Sequence, residues 1–251
     1  DAQIIGEALG IQRSAELILF DPSNFTVIHR GSLTGETENI LDSIVAGEEF
    51  TAPETLKVGQ PINYAVANSH RQHAPAYEQD IAPIIEENCA SCHRESGIAP
   101  FAMDSYSMIR GWSPMIREVV MTKRMPPGQI DPHIGSFEND MLLADSEQQT
   151  LLHWIEAGAP RDGTTDPLAH LSWPESEWAF GEPDLIIDIP PQEIPATGVL
   201  DYYNVMVDVD LEEDRWVRAS QYVPGDRTVL HHTLHSIIPP GATRGGSLLG
   251  G

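Results

Sequence analysis

Only two cysteines occur in the 251 residues, both inside the stretch Cys89-Ala90-Ser91-Cys92-His93, so no disulfide framework can hold the fold. Basic residues are scarce: 14 Lys and Arg stand against 38 Asp and Glu, a formal charge of -24. That excludes the concentrated cationic surface nucleic acid demands, and it disfavours anionic membrane surfaces. No apolar run approaches the ~18 to 20 residues that span a bilayer, so no transmembrane segment is expected. The start at Asp1 shows no charged-then-apolar leader, and a processed or partial chain is expected. Neither Gly-x-Ser-x-Gly nor a phosphate-cradling glycine loop occurs; the glycines of 245–251 precede no helix or lysine. Serine-triad hydrolysis and nucleotide phosphate binding are set aside.

What is present describes a globular protein rich in turns: 41% hydrophobic residues with 20 Gly and 20 Pro. The length predicts two or three domains. The acidity keeps the chain soluble or steers it toward a basic redox partner.

Glu16-Leu-Ile-Leu-Phe20, stopped by Asp21-Pro22, and Phe25-Thr-Val-Ile-His-Arg30, stopped by Gly31, predict a β-hairpin. Ile40, Leu41, Ile44 and Val45 then share one helical face ahead of Gly47. Residues 67–78 are polar and proline-interrupted, and read as a linker. Beyond it, Ile81, Ile84 and Ile85 lead into the cysteine motif. Ile109 to Lys123 and Ser146 to Ala157 read as helices, the latter with a capping signal at Asp145-Ser146 and a stop at Gly158. After Gly163 come short β-branched runs, among them Leu185-Ile-Ile-Asp-Ile, Tyr202-Tyr-Asn-Val-Met-Val-Asp-Val and Thr228-Val-Leu-His-His-Thr-Leu-His. They predict a β-sandwich.

Residues 1–66, with Leu9-Gly-Ile-Gln-Arg-Ser-Ala-Glu-Leu-Ile-Leu-Phe-Asp-Pro and the strand ending Arg30-Gly31, resemble the C-terminal half of a thioredoxin-like or peroxiredoxin-like domain. No cysteine occurs before Cys89, so the thiol chemistry of such domains is not expected here.

Cys-x-x-Cys-His places two thiols to form thioethers with both haem vinyl groups, while the adjacent imidazole turns back onto the iron. Cys89 and Cys92 are therefore the expected attachment points of one haem c, and His93 its proximal ligand. A zinc site would want a second Cys or His pair, and a thioredoxin redox pair would want a preceding strand. The sixth ligand is sought among Met103, Met108, Met115, Met121, Met125, His133 and Met141. Met108, Met115 and Met121 sit where a thioether more often fills a core. Met125 precedes Pro126-Pro127, whose extended backbone can present the thioether without breaking a helical hydrogen bond. His133 is the rival; a second histidine would lower the reduction potential that His/Met ligation raises. Arg94 and Arg124 are candidates for pairing with haem propionates, while His70 and His73 read as linker residues.

The stretch from Tyr77 to Gly163 resembles monohaem cytochrome c domains of large fusion proteins. It carries Asp80-Ile-Ala-Pro-Ile, Asn88-Cys-Ala-Ser-Cys-His, Ala99-Pro-Phe, Arg117-Glu-Val-Val, Arg124-Met-Pro-Pro, Asp131-Pro-His and Trp154-Ile-Glu-Ala-Gly-Ala-Pro. In class I cytochromes a methionine before proline is the axial ligand, so the resemblance implies Met125.

His231-His232 lies in an expected strand, where adjacent side chains point to opposite faces; both reach one metal only across a twist or bulge. Trp178-Ala-Phe-Gly-Glu-Pro-Asp, Ile194-Pro-Ala-Thr-Gly-Val, Asp214-Arg-Trp-Val-Arg-Ala, Val223-Pro-Gly-Asp, Val229-Leu-His-His-Thr-Leu and Pro239-Pro-Gly resemble the N-terminal part of copper type II, ascorbate-dependent monooxygenases. That resemblance implies copper on His231 and His232, with His235 as a stand-in for a third ligand that has no counterpart before Gly251.

The expected fold class is thus multidomain: a partial α/β thioredoxin-like segment at 1–66, an all-α class I cytochrome c domain at 79–165 and an incomplete β-sandwich at 166–251. The expected function is electron transfer through one covalently bound haem in the periplasm or outside the cell. Two alternatives stand beside it. One is a haem-fed, copper-dependent monooxygenase that hydroxylates a C–H bond with oxygen, of which this chain is a fragment. The other is a haem-bearing homo-oligomer or filament subunit.

Overall fold

Strands β1 (Glu16–Asp21) and β2 (Thr26–Ser32) pair antiparallel in the computed structural model of the chain, as their apolar runs predict. The structure describes residues 3–32, 35–49, 58–131, 133–138, 140–173, 178–198, 200, 203–226, 229–230, 233–239, 241 and 246–247. Short polar side chains close the hairpin. Asp21 Oδ1 accepts from the Ser23 N–H at 2.8 Å, and Asn24 Oδ1 accepts from the Thr26 N–H at 2.9 Å, each replacing a ladder bond the turn cannot make. A register shift between Leu19 and Phe20 leaves Ile28 of β2 as the extra residue of a bulge.

By connectivity the chain divides into two compact units. The first comprises residues 1–88 and 106–166, the second residues 89–105 and 167–251.

The first unit carries the hairpin and six helices: α1 (Ile4–Ala8), α2 (Gly35–Ala46), α3 (Ala65–Gln72), α4 (Ala82–Asn88), α5 (Tyr106–Met121) and α6 (Asp145–Glu156). A π-helical turn at Tyr77–Ile81 runs directly into α4, with the Ile81 N–H reaching back to the Ala76 carbonyl at 3.2 Å. α3 occupies part of the stretch whose polarity suggested a linker. Within α5, Pro114 has no N–H for the Arg110 carbonyl, and the Ser113 hydroxyl donates to that oxygen at 2.8 Å instead. At the start of α6 Glu147 reaches back to the Ala144 N–H at 2.8 Å; Ala144 has no side-chain oxygen, so only this half of a capping box exists. Gly158, at φ 90, ends the helix where the sequence places its stop.

α6 packs against α3, α5 and the π-helical turn. The core of this unit is Tyr77, Ile81, Ile85, Ile109, Leu151, Leu152 and Trp154, all under 2% exposed. Tyr77 lies at 6.1 Å from Trp154 and edge-on to Tyr106 at 5.0 Å, centroid to centroid. Its hydroxyl donates to Asp166 Oδ1 at 2.6 Å, and Asp166 Oδ2 accepts from the Tyr106 N–H at 2.7 Å.

The expected fold class is overturned. The described chain is mixed α/β, and the β-sandwich expected over 166–251 does not form among the described residues. Only Ser236–Ile237 (β3) and Gly246–Ser247 (β4) pair there, two residues to a strand. Residues 185–198 and 203–226 hold neither helix nor strand, although Leu185, Ile186, Ile187, Val205, Val207 and Val209 have the alternating, β-branched texture of one. The reason is pairing: a strand is stabilised by a neighbour's ladder and a covered face, and here those side chains stay exposed. The helices of the expected cytochrome stretch share one unit with the hairpin, and the cysteine motif belongs to the other unit. No helix among the described residues is long and apolar enough to cross a membrane.

Candidate haem attachment site

α4 ends at Asn88, so the backbone leaves a helix as it enters Cys89 and keeps turning. The Cys89 carbonyl accepts from the N–H groups of Cys92 at 3.2 Å and His93 at 2.9 Å. Three residues of helical turn bring the two sulfur-bearing residues to the same side of the backbone. Both are thiols rather than halves of a disulfide, and both are half-buried.

His93 is oriented by the main chain. Its Nδ1 lies 3.1 Å from the Phe101 carbonyl oxygen, and the Phe101 ring sits 4.7 Å from the imidazole, centroid to centroid. A carbonyl only accepts, so Nδ1 carries the hydrogen and Nε2 keeps its lone pair. Burial pushes the imidazole below its ordinary pKa, against an upward pull from that same carbonyl.

The loop that delivers Phe101 is tied to the motif at two points. The Ala99 N–H donates to the Cys92 carbonyl at 3.1 Å, and the Met103 N–H donates to the His93 carbonyl at 2.8 Å. Met103 is buried, in the manner of a core filler. Arg94 places its guanidinium 5.0 Å from the Trp173 ring centroid and donates from Nε to the Ser91 carbonyl at 3.2 Å.

Two thiols one turn apart, and an imidazole whose Nδ1–H is held by a carbonyl with Nε2 left basic, are the donor set a covalently attached haem requires. The residues fit that group.

The remaining candidates stand as follows. Met125 lies in the first unit, at the end of a turn where its N–H donates to the Val119 carbonyl at 3.1 Å, and its side chain is partly exposed. His133 is exposed and tied to Asp131, whose Oδ1 accepts from both its backbone N–H and its Nδ1, each at 2.9 Å. Arg124 is paired with Glu118. His235 is exposed, its Nε2 3.3 Å from the Ser220 hydroxyl. His231 and His232 lie outside the described residues. Among the described residues no group of three His, Cys, Asp or Glu side chains is arranged to hold a metal ion.

One constellation escaped the sequence. Glu7 of α1, His153 of α6 and His70 of α3 form a chain of hydrogen bonds: His153 Nε2 to Glu7 Oε2 at 2.9 Å, and His153 Nδ1 to His70 Nδ1 at 2.9 Å. The side chains of His153 and Glu7 are only 8% and 11% exposed. No spacing rule connects three residues so far apart in sequence; only the packing of α6 on α3 brings the histidines together.

No family model, curated protein or solved structure matches the chain.

Proposed function

We propose that the chain is an extracytoplasmic electron-transfer protein carrying one haem c, attached through Cys89 and Cys92 with His93 as the proximal ligand. The observation that carries this reading is the hydrogen bond from His93 Nδ1–H to the Phe101 carbonyl, because it fixes the tautomer and aim that an iron-ligating imidazole needs. A zinc-ligating histidine would be held in the same way, so haem is favoured over zinc by the place of His93 directly after the second cysteine, and a redox dithiol needs no histidine there.

When bound, the haem supplies a one-electron iron couple. The chain's own residues have three tasks. Cys89 and Cys92 tether the group, which keeps it from dissociating in dilute surroundings. The Phe101 carbonyl orients His93 and raises its basicity as a ligand. Met125 would be the sixth ligand on the argument of its place before Pro126, and its thioether would favour the reduced state relative to a second imidazole. The formal charge of -24 makes a basic redox partner the electrostatically preferred one and slows encounter with acidic proteins.

The test is the visible spectrum and intact mass of the full chain produced with a haem-attachment system in an oxidising compartment. One haem per chain that survives acidic organic extraction is expected, with the covalent adduct lost in Cys89→Ala/Cys92→Ala. A chain that takes up no haem, or haem that extracts freely from the wild type, would sink the reading.

A further inference from the structure

The geometry of the Glu7–His153–His70 chain decides what lies between the two histidines. Their centroids are 5.1 Å apart, which is the 2.9 Å between the Nδ1 atoms plus the two ring radii, so both nitrogens lie on the line joining the rings. A metal bound ~2.0 Å from each nitrogen needs either ring axes that converge at an angle or, if linear, nitrogens about 4 Å apart. Collinear axes at hydrogen-bond distance fit one shared hydrogen and no metal.

Proton counting follows. Glu7 accepts from His153 Nε2–H. The single hydrogen between the Nδ1 atoms belongs to one ring, and the other presents a lone pair. His70 Nε2 is the outer end of the chain. A proton arriving there makes one imidazolium, and the shared hydrogen can then pass between the rings, one Nδ1–H bond breaking as the other forms. One more proton gives two imidazolium rings, each with an Nδ1–H aimed at the other.

We propose that His70 and His153 form an acid-sensitive latch that closes α3 onto α6 while the two rings share one hydrogen, and opens when both rings are charged. α3 is eight residues long and buries Ala67 alone, so little apolar packing holds it on α6 beside the histidine pair. The Glu7 carboxylate, on His153 at 2.9 Å and on Arg71 Nη2 at 3.4 Å, is a contact that charging the rings leaves in place.

The charges around the pair are few. Glu7 of α1 and Asp80 of the π-helical turn act on His70 as anions and favour its charged form. Burial first, and the neighbouring His153 second, oppose them and carry His70 below its ordinary value. Arg71 of α3 is spent on Glu7 and on Asn68. Glu156, one turn beyond His153 on α6, is paired with Arg117 of α5 at 3.2 Å. Tyr64, ahead of α3, donates its hydroxyl to the Ile11 carbonyl and anchors the chain just after α1. A depressed histidine binds its proton less readily in the folded protein than in water. The closure it supports is therefore complete above the ordinary imidazole value, about 6.5, and is lost as pH falls below it.

Amide hydrogen exchange of the full chain, corrected to protection factors, reads the latch directly between about pH 7.5 and about pH 5. Protection over Ala65–Gln72 is expected to fall by up to about tenfold for each pH unit below about 6.5, as one extra proton is taken up on opening. In His70→Gln that dependence should vanish, because an amide turns to suit either form of His153. Histidine nitrogen spectra of the wild type near neutral pH should show one hydrogen between the two Nδ1 atoms, a readout that requires no variant to fold. Flat protection of Ala65–Gln72 across the range would overturn the proposal. So would an unaltered slope in His70→Gln, or two separately protonated Nδ1 atoms near neutrality.

Discussion

Gly97 stands hard against Cys92: a methyl group built on its α-carbon would lie 2.3 Å from the Cys92 carbonyl oxygen. That oxygen is already engaged by the Ala99 N–H, so it cannot swing away without releasing the loop that carries Phe101 to His93. Gly97→Ala is expected to cost about 1–3 kcal/mol and to reduce haem incorporation, because the backbone itself must move. Chemical denaturation of the purified chain, with haem stoichiometry on the same samples, checks both. Wild-type stability and loading would show the loop to be more yielding than its contacts imply.

Tyr77 is fully buried, and its hydroxyl is the donor that satisfies Asp166 Oδ1. Burial first, and the bond to Asp166 second, hold the phenol well above its ordinary pKa, so the hydroxyl keeps its hydrogen throughout the working range. Tyr77→Phe removes a bond to a charged acceptor and should destabilise the first unit by about 1.5–3 kcal/mol. A shift in urea midpoint with unchanged slope would report this. A loss under about 0.5 kcal/mol would mean that water replaces the donor at no cost.

The Glu16 carboxyl is held below the usual carboxylate range, first by the Gln12 N–H at 2.8 Å and then by the Arg30 guanidinium. A carboxylate depressed by folding lends stability that is fully present above its unfolded value, 4.5, and is lost as pH falls through the folded one. Glu16→Gln should therefore lower the thermal midpoint near neutral pH and have progressively less effect below pH 4.5. Melting curves of both proteins across acid pH decide this; parallel losses at every pH would remove Glu16 from the acid response.

If Met125 is the sixth ligand, Met125→His is expected to lower the reduction potential of the haem protein, since a second imidazole stabilises the oxidised iron. Spectroelectrochemical titration of wild type and variant measures the shift. An unchanged potential in both Met125→His and Met125→Leu, with a rise in His133→Ala, would transfer the role to His133.

The parts of this fold that were legible in sequence are those whose information is local. Alternating apolar residues ended by Asp21-Pro22 and Gly31 specify a hairpin whose partners are a few residues away, and the isoleucines before Asn88 specify a helix that makes its own hydrogen bonds. Val205, Val207 and Val209 carry an equally clear strand pattern, yet a strand cannot bond to itself, and pattern alone says nothing about whether a partner is in reach. The site divides in the same way. Cys89, Cys92 and His93 are legible because thioether attachment is a matter of spacing. The Phe101 carbonyl that aims His93 is invisible, because every residue has a carbonyl. Glu7, His70 and His153 could not be joined before α3 and α6 were seen to pack.

The contrast between Trp154, wholly buried in the first unit, and Trp216, as exposed as a free side chain, gives the protein two optical reporters of opposite character. Indole emission shifts to the red in water, and an aqueous quencher reaches only rings it can touch. Collisional quenching of the haem-free chain should trim the red edge, to which Trp216 and the partly exposed Trp112 and Trp173 contribute, while sparing the blue component of Trp154. Anything that covers Trp216 and the charged residues beside it would therefore announce itself in the protein's own fluorescence, with no label attached.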